Sequence, residues 1–306
     1  MKIVRILSCF FVLLFFQSCF VANKMALKSE AKKLQPNGKM VEIDTRKIHI
    51  YAEGEKNNKP ALVFMSGSAT VAPVYDFKPL YSLLSNKYRI IVVEKTGYGY
   101  SDIVKIPRDL PTLFDEIRTA LALAGEKPPY VLVPHSMSGL EAIFWTEKYP
   151  EEVAAIVGLD MSPPESYDFV NFSKVNFFTT LGRFAVWNGL QRIPHLYPLN
   201  TKTLTQQEKK QQKLLMYRNA GNIDFIMESK SIPDNAKMLE NIKLNVPMLL
   251  FVSNGKEIGK YWLPCQEKFA VENHTQLIKL NCGHYIHWYE PELIAQKTIE
   301  FLNVHF

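Results

Sequence analysis

The chain has few cysteines, and none at a spacing that suits a metal. Cys9, Cys19, Cys265 and Cys282 are the only four in 306 residues. No pair of them forms a Cys-x-x-Cys element, so the cysteines give no ground for a metal site. Cys265 and Cys282 are available for a disulfide in an oxidising compartment, although nothing in the sequence brings them together. A basic stripe interleaved with aromatics is also missing. The formal charge of +6 is modest and spread along the chain, which excludes nucleic acid as an expected partner. Gly97-Tyr98-Gly99 has no third glycine opening a helix, so it gives no ground for a nucleotide loop. Residues 6–23 contain no charged side chain at all.

That last absence shapes the N-terminus. Lys2 and Arg5 precede a run rich in Phe, Leu and Val. As a helix its 18 residues would reach roughly 27 Å, close to the ~30 Å hydrocarbon core of a bilayer. A retained membrane anchor over residues 1–23 is the first expectation, with the domain outside the cytoplasm. A lipoprotein signal is the second, because Phe16-Gln17-Ser18-Cys19 loosely resembles a lipobox. A cleaved signal is the third. Lys24, Lys28, Lys32 and Lys33 follow the run, so charge does not settle its orientation. Residues 24–38 read as a polar tether.

With 47% hydrophobic residues, the remainder can bury a substantial core. Residues 40–44 and 47–51 alternate around Thr45-Arg46, which predicts an antiparallel hairpin. Buried strands are expected at 61–65, 88–94, 130–133, 153–159, 246–252 and 277–280. Helices are expected around 77–84, after a Thr112 cap, from Ser136 to Pro150, and after Pro291. Strands that alternate with helices imply a parallel sheet, with ligands at the carboxyl ends of the strands. Ser66, Glu94, Ser136 and Asp160 stand at those ends. Residues 162–245 break the rhythm with helical patterns and many aromatics.

The chain is organised around Tyr130-Val-Leu-Val-Pro-His-Ser-Met-Ser-Gly139. A short buried strand runs into a helix, with Ser136 on the turn between them. Such a turn thrusts a hydroxyl out of the sheet beside a helix N-terminus, as in a nucleophile elbow. Small residues are needed around the serine because strand and helix nearly touch. Ser138 and Gly139 meet that need, while Pro134 stands where glycine is usual.

This stretch resembles the α/β-hydrolase family, whose common form here is Gly-His-Ser-Met-Gly-Gly. Glu94-Lys-Thr-Gly-Tyr-Gly-Tyr-Ser-Asp102 resembles the family's Asp-x-Arg-Gly-x-Gly-x-Ser-Asp, and Asn281-Cys-Gly-His284 resembles its terminal Gly-His loop. The resemblance covers about residues 39–306. It implies a core at 39–161 and 246–306, with a helical cap inserted at 162–245. It also implies a serine hydrolase of ester or amide bonds in small acyl substrates, closer to a carboxylesterase than to a peptidase. In that scheme Ser136 is the nucleophile and His284 the base. Glu257 is the first candidate for the acid and Asp160 the competitor. Ser68 and Met137 lend the oxyanion-hole amides, with Ser66 in place of the family histidine. His135 and His287 are neighbours and not the base. The aromatics Phe169, Phe177, Phe178, Phe184 and Trp187 suit either an acyl pocket or the cap's own core. No cofactor is implied. A non-catalytic binding module and an aminopeptidase remain alternatives, the latter with Glu165, Asp168 or Asp224 holding a substrate amine.

Overall fold

The computed structural model describes residues 2–193 and 199–306, and within the first helix the side chains of residue 11 and of residue 14 onward. Eight strands form one sheet in the order β1-β2-β4-β3-β5-β6-β7-β8. They are β1 (Lys39–Ile43), β2 (Arg46–Glu53), β3 (Ala61–Met65), β4 (Ile90–Glu94), β5 (Tyr130–Pro134), β6 (Val153–Leu159), β7 (Met248–Val252) and β8 (Gln276–Lys279). The β1–β2 hairpin is antiparallel and β2 runs antiparallel to β4, while β4, β3 and β5 to β8 are all parallel. This is the α/β-hydrolase fold that the sequence predicts.

Alternation along the strands divides the core in two. Leu62 and Phe64 point toward α2 (Pro73–Asp76), α3 (Lys78–Tyr81) and α11 (Pro291–His305). Val63 and Met65 point toward α4 (Leu110–Ala124), α5 (Ser138–Lys148) and α9 (Trp262–Glu272). Both faces are therefore covered, and β3 to β7 read as continuous apolar runs for that reason. Helix α4 begins earlier than expected. Asp109, and not Thr112, is the N-cap, and its carboxylate accepts the Thr112 N–H at 3.0 Å. Gly125 closes the helix in the left-handed region, at φ 85°.

The excursion between β6 and β7 carries α6 (Phe172–Trp187), α7 (Gln206–Asn219) and α8 (Ile223–Met238), and no strand among its described residues. Helix α6 buries none of its residues. Phe169, Phe177, Phe178, Phe184 and Trp187 are 48–65% exposed, so they do not form a buried interior for this excursion.

The N-terminus departs from the expected tether. One helix, α1, runs from Lys2 to Ala31 and takes in residues 24–31. Asn23 explains why it stops being free. Its amide donates to the carbonyls of Val186 and Trp187, at 3.0 and 3.1 Å. Arg192 forms a fork with the Glu30 carboxylate, at 2.7 and 2.8 Å. Gln211 then holds Lys33 and Gln35 through their backbone. Much of the expected anchor, the side chains of 2–10, 12 and 13, lies outside the described residues. Among the described residues no helix is long and apolar enough to cross a membrane. Cys19, Cys265 and Cys282 are all free thiols. The remaining short helix, α10 (Ile286–Tyr289), follows the terminal histidine loop.

Candidate active site

The turn after β5 places Ser136 at φ 55°, in the left-handed region, where a serine is strained. Its surroundings over-determine that conformation. The Ser138 hydroxyl donates to Met65 O at 2.7 Å, and it accepts the His135 N–H at 3.0 Å. The Ser136 carbonyl accepts the Ser162 N–H at 2.8 Å. Gly67 fits because a Cβ there would stand 2.7 Å from the Cβ of Ser136. Gly139 fits because a Cβ would stand 2.8 Å from the Ser162 carbonyl oxygen. Pro134 ends β5 in register with Met65 and leaves the elbow intact, since the ladder continues through the His135 N–H to Met65 O at 3.0 Å. Serine at position 138 is thus a clasp as well as a small residue.

His284 arrives on the loop after β8. Its Nε2 lies 2.8 Å from Ser136 Oγ and its Nδ1 lies 2.6 Å from Asp160 Oδ2. The other Asp160 oxygen accepts the Ser253 N–H at 2.9 Å and the Trp262 indole N–H at 2.7 Å. Every partner of this buried carboxylate is a donor. The imidazole therefore keeps its proton on Nδ1 and turns the Nε2 lone pair toward Ser136.

The structure places the two candidate acids differently, and only Asp160 meets the imidazole. Glu257 does not reach the imidazole: its carboxylate accepts the His284 backbone N–H at 2.8 Å and packs under Gly283. It shapes the loop that presents the histidine. Asp160 reaches the imidazole because β6 lies next to β5, so its carboxyl end is one strand from the elbow. The partners Ser253 and Trp262 carried no signal in the sequence, because neither belongs to a motif.

Among the described residues, the N–H groups of Ser68 and Met137 make no hydrogen bond within the protein. The Ala69 N–H beside them is directed to the Tyr98 hydroxyl at 3.3 Å. His135 is buried and its ring lies tilted against that of His284, with ring centres 4.7 Å apart. Burial, with His284 and His287 close by, pushes the His135 pKa well down, so it stays neutral and takes no part as a cation. His287 bonds Asp76 at 3.0 Å.

The Gly97–Gly99 loop is structural. It folds over the Glu94 carboxylate, which accepts the Tyr100 N–H at 2.7 Å and the Val74 N–H at 3.2 Å. A Cβ on Gly99 would lie 1.8 Å from that carboxyl carbon. Of the acids considered for holding an amine, Glu165 pairs with Lys268 and Asp224 accepts the Val104 N–H at 2.9 Å. Asp168 lies in the short turn before α6. The structure does not gather these three at the serine.

Asp224 makes a pH-dependent contribution. It is fully buried, and burial lifts its pKa to about 6 despite the attraction of Arg108 and the Val104 N–H. The folded state therefore holds this proton more tightly than the unfolded chain. The stability gained is complete below the ordinary aspartate range, near pH 4, and is lost as pH rises through about 6. Asp224→Asn keeps the neutral form throughout. Its melting temperature relative to wild type should climb between pH 4.5 and 7.5, as measured by thermal unfolding; a constant difference would refute this.

A sheet of this topology, with a serine elbow and a histidine loop at its carboxyl edge, defines a hydrolase architecture. The family description of the alpha/beta hydrolase fold matches residues 60–291. The chain belongs to the α/β-hydrolase family. It is 34% identical to the uncharacterised protein YbdG of Bacillus subtilis (strain 168), over 99% of this chain and 97% of that one. Among solved structures it is similar to a thermophilic esterase from Thermogutta terrifontis, with a TM-score of 0.65, 17% identity, and coverage of 88% of this chain and 100% of that one. It is likewise similar to a Bacillus megaterium epoxide hydrolase, with a TM-score of 0.66, 14% identity, and coverage of 87% and 100%. At these identities the solved structures speak for the fold alone.

Proposed function

We propose that the protein is a serine hydrolase that cleaves an ester or amide bond in a small acyl substrate through an acyl-enzyme. The observation that carries this reading is the unbroken chain Ser136–His284–Asp160, closed at 2.8 and 2.6 Å. A serine hydroxyl is a weak nucleophile until a base takes its proton. His284 Nε2 is placed to accept that proton as Oγ attacks the acyl carbon. Asp160 then stabilises the imidazolium and fixes its tautomer. The free Ser68 and Met137 amides suit the oxyanion of the tetrahedral intermediate, where one such donor is typically worth about 10²–10³ in rate. His284 returns the proton to the leaving alcohol or amine. A water, deprotonated by the same nitrogen, then releases the acid and restores Ser136.

Serine at position 136 also bears on which chemistry the fold carries, because halide or epoxide displacement through an alkyl-enzyme ester calls for a carboxylate nucleophile. The test is labelling of the purified protein by a fluorophosphonate, with Ser136→Ala as control, followed by turnover of short p-nitrophenyl esters. Label and turnover should both disappear in the variant. A folded wild-type protein that takes no label would overturn the proposal in favour of a binding module.

A further inference from the structure

Helix α6 is unusual for the surface of a soluble domain. Phe177, Phe178, Leu181, Phe184 and Trp187 are each 48–65% exposed on it. Helix α1 extends the same surface. Phe16 lies against Phe184 with ring centres 5.7 Å apart, and Phe20 against Trp187 at 6.5 Å. Phe15, Val21 and Met25 add further exposed apolar groups. An apolar patch built from two helices remote from each other in sequence is far more than the scattered exposure expected of a monomer surface.

Charge decides what covers it. Across α1 and α6 the only acidic residue is Glu30, and Arg192 neutralises it. The basic residues are Lys2, Arg5, Lys24, Lys28, Lys174 and Arg183. Lys24, Lys28 and Lys174 are exposed, and the Arg183 guanidinium lies 4.8 Å over the Trp187 ring. A second copy of the chain would bring these cations face to face. An anionic lipid surface would meet them with phosphates while its acyl boundary took up the rings. A tryptophan with an arginine beside it suits that boundary, where one end of the pair is apolar and the other wet. The apolar run of residues 6–23 continues the patch in sequence toward the N-terminus.

We propose that the outer face of α6, together with the adjoining face of α1, lies in the headgroup–acyl boundary of an anionic bilayer. The excursion that covers the sheet edge is then itself the membrane-contacting element, and α1 is its partner and not a free tether. This holds whatever bond the site cleaves.

The experiment uses the full chain with phosphatidylcholine vesicles, with and without phosphatidylglycerol. Brominated acyl chains should quench fluorescence in anionic vesicles, and Trp187→Phe should abolish most of that quenching. In co-sedimentation, Phe177→Ser/Phe178→Ser should weaken binding by about tenfold or more, since two ring contacts with the apolar phase are lost. Both side chains are exposed, so the variant's thermal unfolding should match wild type. Unchanged binding by the double variant, with Trp187 unquenched, would overturn the proposal and leave α1 as the sole contact. Failure to bind anionic vesicles, with dimerisation that the double variant disperses, would overturn it in favour of self-association.

Discussion

Asp160→Asn should lower kcat by about 10⁴, while Glu257→Gln should stay within a few-fold of wild type. The asymmetry follows from who donates to whom. Asp160 accepts from three donors: the His284 Nδ1–H, the Ser253 N–H and the Trp262 indole. Asparagine has one acceptor oxygen and one donor amide to set against them. If its amide faces the imidazole, the proton moves to Nε2, and Ser136 faces a donor where it needs a base. If its amide faces Ser253 and Trp262, two buried donors lose their acceptor. Either rotamer disables the site. Glu257 accepts one backbone N–H, and the glutamine oxygen reproduces that bond. Steady-state kinetics of the two variants on the same ester separates the roles. Equal losses in both, or the larger loss in Glu257→Gln, would refute the assignment of Asp160.

Lys95→Met should destabilise the fold by about 3–5 kcal/mol, as read from the urea midpoint. Lys95 is buried beside Glu141 of α5 and Glu228 of α8, with its Nζ 2.8 Å from Glu228. Burial works against its charge, yet the two carboxylates outweigh that and hold its pKa above the ordinary lysine value. Glu141 shows the converse: burial pushes its pKa up, and Lys95 draws it back only in part. Removing the cation leaves two buried carboxylates with Arg108 alone to balance them. The cost belongs to the uncompensated charge and not to the bond itself. Lys95→Met combined with Glu141→Gln and Glu228→Gln should therefore recover most of the loss. A single variant within 1 kcal/mol of wild type, or a triple variant no better than the single, would count against this account. The network also touches the site, because the Tyr98 hydroxyl that receives the Ala69 N–H donates in turn to Glu228. Helix α8, helix α5 and the loop after β3 are thus tied through one buried cluster.

Local chemistry alone determined a good deal of this molecule. The alternation of 40–44 and 47–51 made the hairpin, and the apolar runs at 61–65, 130–133 and 153–159 made the buried strands, because a parallel sheet covered on both faces demands such runs. The strand–Ser136–helix turn was legible because its small residues answer a steric need within ten residues of chain. Gly283-His284 was legible by its place after the last strand. The helix N-terminus at Asp109 was missed because Asp109-x-x-Thr112 and Thr112-x-x-Asp115 both resemble caps, and only packing chooses between them.

What the tertiary structure decided were matters of distance between remote segments. Glu257 and Asp160 each follow a strand at the right edge, and nothing local ranks them. The order of strands puts Asp160 beside the elbow, and the indole of Trp262, 102 residues away, pins it there. The aromatics of α6 carry the same hydrophobicity whether they face a pocket, a core or a membrane. Their direction depends on which face α7, α8 and α1 occupy, and that is settled by contacts such as Asn23 with the end of α6. Sequence specifies what each residue can bond to; the fold specifies which partner is within 3 Å, and the assignment of roles rests on that.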